Sequence, residues 1–171
     1  MILPDIHPQV LLRMDRKPYI RRLYAGNIFA AGLFTIMFLG IAVANTTIVI
    51  GAPKLWAWGY YKAAVLSLIL TFLYYVLTGT VFMFLYILIG TKTKALFVTY
   101  FISVVLVGLP YFIRLHWTPV TSLTVLDDML ENRFRYSSVI LDMAKLTGLS
   151  AFLYFFTIYI FKGKDILAKN G

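Results

Sequence analysis

The chain has 171 residues, of which 61% are hydrophobic, 13% charged and none cysteine, with a formal net charge of +9 and a mean hydropathy of +0.83. Soluble domains carry about a quarter of their residues as charges, so this composition excludes an ordinary soluble domain and, with it, a basic face offered to nucleic acid. The lack of cysteine removes disulfides, thiolate nucleophiles and cysteine metal sites together.

Met1–Gly26 reads as a basic, polar lead-in. Pro4, Asp5, His7 and Pro8 stand where a cleavable signal needs a basic start and an apolar run, so the first span is expected to act as an uncleaved anchor. Val10, Leu11, Met14, Tyr19, Ile20 and Leu23 then alternate with Arg13, Arg16, Lys17, Arg21 and Arg22 at roughly helical spacing. Pro18 interrupts them once and suits a first helical turn. The pattern predicts an interfacial amphipathic segment with its cations among the headgroups; plain positive-inside flanking sequence has the same composition.

Four long, nearly charge-free stretches follow: Asn27–Gly51, Ala63–Gly90, Ala95–Ile113 and Ala144–Phe161. Each is close to the roughly 20 apolar residues that a helix needs to cross a bilayer core. Backbone polar groups in lipid must be satisfied internally, so spans are helices or a closed barrel. Phe82–Ile89 and Ser150–Ile160 lack the apolar–polar alternation of barrel strands, which leaves helices. The predicted fold is an all-α integral membrane protein with four transmembrane helices, an N-terminal amphipathic segment and a short outer amphipathic helix. Its predicted parts are a lead-in over 1–26, a transmembrane domain over 27–161 with an outer loop at 114–143, and a cytoplasmic tail over 162–171.

Within this frame, Ala30, Ala31 and Gly32 permit close helix approach, and Asn45, Thr46 and Thr47 fall near the far interface. Trp56, Trp58, Tyr60 and Tyr61 between Lys54 and Lys62 read as an aromatic belt, although a carbohydrate or quinol platform would use the same rings. Thr78-Gly79-Thr80 interrupts the second span with small residues, as a packing notch, a hinge or part of a substrate path. Gly90–Lys94 is a tight turn carrying two cations, and Pro110 closes the third span. In the outer loop, Val125, Leu126, Met129 and Leu130 share one helical face after Thr124, a candidate N-cap with Asp127 three residues on. This predicts a short helix over Thr124–Phe134 at the membrane surface. Asp142 and Lys145 are spaced to meet on one helix face.

Lys and Arg counts set the expected orientation. Arg13, Arg16, Lys17, Arg21, Arg22, Lys92, Lys94, Lys162, Lys164 and Lys169 share one side, against Lys54, Lys62, Arg114, Arg133, Arg135 and Lys145 on the other. The richer side is cytoplasmic by the positive-inside rule, which places both termini there. Chemistry-bearing residues are sparse. His7 and His116 fall outside the spans, and the carboxylates Asp127, Asp128 and Glu131 have only His116 near them in sequence. No phosphate-cradling loop, nucleophile triad or intramembrane proton relay is visible, so the chain is expected to be neither an enzyme nor a cofactor or metal carrier.

From Arg16 to Asp165 the order of features resembles the C-terminal four-span part of ABC-type exporter permeases of the type 2 class. The basic Arg16-Lys17-Pro18-Tyr19-Ile20-Arg21-Arg22 stretch before a span, the two spans joined by the Lys92/Lys94 turn, the loop from Pro119 to Arg135, and the ending Phe161-Lys162-Gly163-Lys164-Asp165-Ile166 are each similar to that family. The family has six spans where this chain has four. The resemblance implies a membrane-embedded permease component of an ATP-driven transporter, non-catalytic itself and coupled to a separate cytoplasmic ATPase. It implies docking through Arg16, Lys17, Arg21 and Arg22, and an outer gate around Pro119, Asp127, Asp128 and Glu131. The expected partners are membrane lipid, other membrane subunits and that ATPase, with no nucleic acid, in the cell membrane. The alternative is a non-catalytic accessory or structural subunit of a larger membrane complex, which needs no nucleotide-binding partner.

Overall fold

The computed structural model describes residues 16–113, 117–124, 128 and 135–163. Their regular elements are all helical: α1 Arg16–Ile50, α2 Ala52–Ala57, α3 Tyr60–Ile89, α4 Lys92–Ile113, a 3₁₀ turn Thr121–Leu123, and α5 Tyr136–Gly163. α1, α3, α4 and α5 are each long and apolar enough to cross a membrane. The chain is therefore an all-α, multi-pass membrane protein, with its backbone bonds closed inside each helix as lipid requires.

α3 is the centre of the bundle, and α1, α4 and α5 each pack against it. Leu70 and Leu77 of α3 join Val139 and Leu146 of α5 in one buried cluster. Ile20 and Leu23 of α1 pack on Ile87 and Met83 of α3. At the far end of the same pair, the Thr47 and Tyr61 hydroxyls lie 3.2 Å apart, so α1 and α3 are antiparallel. Tyr24 and Tyr154 pack with centroids 4.5 Å apart, and Ile158 packs on Ile20 and Ile87. The start of α1 and the close of α5 thus share one end of the bundle, the termini side, opposite a belt side formed by α2 and its neighbours.

Between helices in lipid there is no hydrophobic drive, so close approach and satisfied polar groups decide the packing. The seam of α1 shows the close approach. Ile20, Leu23, Ala31, Thr35 and Leu39 are buried at helical spacing, while Phe29, Ile36, Phe38 and Val49 face outward. Three buried hydroxyls return to their own helices: Thr80 Oγ1 donates to Val76 O at 2.7 Å, Thr99 Oγ1 to Ala95 O at 2.8 Å and Thr157 Oγ1 to Leu153 O at 2.6 Å. The buried hydroxyls of Thr35 on the α1 seam and Ser150 in α5 meet no hydrogen-bond partner among the described residues.

Two boundaries differ from the sequence reading. α1 runs unbroken from Arg16 across the expected division at Gly26 and Asn27, with Pro18 in its first turn. The apolar residues of the lead-in serve this helix: Ile20 and Leu23 are buried against neighbouring helices, while Arg21 and Arg22 are exposed. α5 begins at Tyr136 rather than Ala144 and takes in Asp142 and Lys145, whose charged atoms lie 3.6 Å apart. The apolar span of α4 ends at Pro110 as expected, although the helix continues to Ile113. Gly59 at φ 69° and Gly90 at φ 77° supply the left-handed residues that turn the chain into and out of α3. In α2, Leu55 is buried while Trp56 and Trp58 are 75% and 61% exposed, the arrangement an aromatic belt needs.

Candidate functional site

Residues 117–124, between α4 and α5, pack against α3. Trp117 packs against the Leu70, Leu77, Val139 and Leu146 cluster between α3 and α5. Its indole N–H donates to Ser122 Oγ at 3.2 Å, and Lys145 Nζ stands 4.7 Å from its ring centroid. A non-helical segment within a membrane bundle needs partners for its backbone, and the small hydroxyl residues supply them. Thr118 N–H donates to Thr121 Oγ1 at 3.0 Å, Thr121 N–H to Thr118 Oγ1 at 3.3 Å, and Thr121 Oγ1 to Thr118 O at 2.8 Å. Thr118 and Ser122 are buried, at 3% and 1% exposure. The segment 117–124 is thus a turn packed on the helices and bonded largely to itself.

Beside it lies a partly open cavity of about 170 Å³. Tyr74, Leu77, Thr78 and Val81 of α3 form its back, Thr99, Ile102, Ser103 and Leu106 of α4 one wall, and Leu149 and Leu153 of α5 the other, with Pro119 completing the lining. The threonine and serine hydroxyls are committed elsewhere: Thr78 Oγ1 donates to Tyr74 O at 3.0 Å and Ser103 Oγ to Thr99 O at 3.0 Å, alongside the Thr99 bond already described. No charged side chain lines it among the described residues. The cavity suits an apolar group, and among the described residues Tyr74 is its only titratable lining side chain.

A second feature joins α1 to the middle of α3. Asn27 Nδ2 donates to Val76 O at 3.1 Å, the same carbonyl that accepts from Thr80. The Asn27 amide lies directly over Gly79, where even a Cβ would collide with it. The small Thr78-Gly79-Thr80 run is thus the notch that receives a polar side chain from α1. No local pattern pairs Asn27 with Gly79, because the contact depends on where two helices cross.

Of the residues singled out by sequence, Pro119 lies at the cavity. Asp128 is half-buried and helical, its N–H donating to Thr124 O at 2.9 Å, but it does not line the cavity. Thr124 Oγ1 donates back to Thr121 O at 2.8 Å and closes the 3₁₀ turn. Asp127, Glu131, His7, His116 and the rest of the expected Thr124–Phe134 helix lie outside the described residues. Arg21 and Arg22 project from the termini side of α1; Arg16 and Lys17 belong to the same helix, but their side chains are outside the described set. Among the described residues, no three His, Asp or Glu side chains come together to hold a metal ion. Sequence reasoning missed Trp117 as a core residue, and missed Thr99 and Ser103 as one stripe of α4, although their spacing of four was visible.

No family model matches the chain, and neither does any curated protein or solved structure.

Proposed function

We propose that the protein is a membrane-embedded permease component of an ATP-driven transporter, non-catalytic itself and moved by a separate cytoplasmic ATPase. The observation that carries this reading is the 117–124 turn seated beside an apolar cavity between three spanning helices. A buried, self-bonded loop next to a chamber is suited to gating, because irregular backbone at membrane depth is tolerated where it lines a cavity. α1 supplies the coupling. It is one continuous helix, so a load applied at Arg21 and Arg22 passes to α3 through Ile20, Leu23 and Asn27.

The termini side is the cytoplasmic side in this proposal, in accord with its excess of cations. Single cysteines at Ala57 and Thr91 test that orientation against a chain with no native cysteine. A membrane-impermeant thiol reagent applied to intact cells is expected to label Ala57→Cys and spare Thr91→Cys; the reverse pattern inverts the protein.

Docking is tested by reversing only the exposed charges. Arg21→Glu with Arg22→Glu leaves Ile20 and Leu23 in their buried contacts, so the bundle is expected to keep its stability while losing its nucleotide-binding partner. Attraction to anionic lipid alone, about 1 kcal/mol per cation, leaves partner capture unchanged, and that result would remove the docking role.

A further inference from the structure

We infer that the crevice walled by α4 and α5 holds one acyl chain of an anionic phospholipid whose headgroup rests on Lys92. α3 closes the back of the crevice, so its open side faces the bilayer, where acyl chains are the prevailing solvent. Its threonine and serine hydroxyls are bonded to their own helices, so the occupant meets an apolar surface. A cavity of about 150 Å³ lined by aliphatic and aromatic groups stays dry and accepts benzene; the 170 Å³ found here takes a comparable length of chain.

The headgroup assignment comes from distance and charge. α4 rises about 1.5 Å per residue, which puts Ser103 about 14 Å from Lys94 along the helix. Half of a bilayer core is about 15 Å. A lipid whose phosphate lies at the Lys92–Lys94 turn therefore brings the end of its chain to Ser103, Leu106 and Pro119. Lys92 and Lys94 are exposed, and among the described residues neither is paired with a carboxylate. Lys92, in the first turn of α4, lies on the helical face that carries Thr99, Ser103 and Leu106, whereas Lys94, two residues on, lies on the other face, so Lys92 is the exposed cation that a headgroup above this crevice meets. The crevice is the same cavity that the transport reading uses, but the chain would hold such a lipid without any ATPase, so a failed partner capture leaves this test standing.

Trp117 reports on the far end of the crevice, because it packs on the cluster that contains Leu77, a lining residue, and lies two residues before Pro119, which also lines it. In a chain carrying Trp56→Phe and Trp58→Phe, Trp117 is the only indole left. The protein is placed in nanodiscs of phosphatidylcholine doped with phosphatidylglycerol or phosphatidylcholine brominated near the chain end, and Trp117 quenching is followed against dopant. Brominated phosphatidylglycerol is expected to reach half-quenching at a mole fraction at least about fivefold lower, the factor that one surface cation supplies. Lys92→Gln with Lys94→Gln is expected to erase the difference, and Ser103→Phe, which fills the crevice, to abolish the selective quenching. The lysines are exposed in the first turn of α4, so that arm stands even if Ser103→Phe fails to fold. Equal quenching by the two lipids, or a preference that survives loss of both lysines, would overturn the assignment.

Discussion

Gly79→Ala is expected to destabilise the bundle by about 1–3 kcal/mol, the usual cost of forcing atoms into a filled site. The new methyl group must displace the Asn27 amide, which lies over Gly79 and donates to Val76 O. Asn27→Ala alone removes one interhelical hydrogen bond, a loss of about 0.6 kcal/mol and at most about 1.7 in membrane proteins. Together the two changes should cost less than their sum, because truncating Asn27 vacates the space that the methyl group at position 79 needs. Residues in contact couple by about 0.5–3 kcal/mol, whereas distant ones add. Unfolding of the unaltered chain, both single variants and the double variant in mixed detergent micelles measures the coupling. Strict additivity would show that α1 does not dock on Gly79.

Trp117→Ala is the second large effect. The indole fills space among Leu70, Leu77, Val139 and Leu146 and holds Ser122 through its N–H. Truncating a fully buried aromatic costs about 3–5 kcal/mol in soluble cores, and the lower end is the ceiling here because Trp117 is half-buried and lipid chains wet the vacated surface without a hydrophobic penalty. Trp117→Phe keeps most of the contacts and drops one hydrogen bond, worth about 1 kcal/mol. The functional consequence is larger than the stability loss. With its anchor gone, the 117–124 turn no longer stays seated, and Ser103→Cys in the cavity wall should react much faster with a water-soluble thiol reagent. Unchanged reactivity at that position in Trp117→Ala would mean that the turn does not close the cavity.

Span number and type were legible in the sequence because a bilayer imposes length and apolarity on every crossing helix, whatever its neighbours. Boundaries were less so. The lead-in resembled an interfacial segment because Ile20 and Leu23 alternate with arginines, and the same pattern serves a helix end packed on α3 and α5. The pairing of Asp142 and Lys145 on one helix face was legible from their spacing, but Asp142 interrupts the charge-free run, so the extension of α5 back to Tyr136 was not. Thr78-Gly79-Thr80 announced close approach, but its partner Asn27 depends on how two helices cross. Pro119 was visible as a loop proline; its place at a cavity depends on Trp117 anchoring the turn among the helices, which no local pattern encodes.

Partner capture tests most directly whether this chain works as the membrane part of an ATP-driven transporter. The protein is purified from its native membrane in mild detergent and the co-purifying chains are identified by mass spectrometry, with Arg21→Glu/Arg22→Glu beside it. A nucleotide-binding ATPase is expected to be recovered with the unaltered chain and lost from the charge-reversed one. Recovery of membrane subunits with no nucleotide-binding chain among them would contradict the transport role and make the protein an accessory subunit instead.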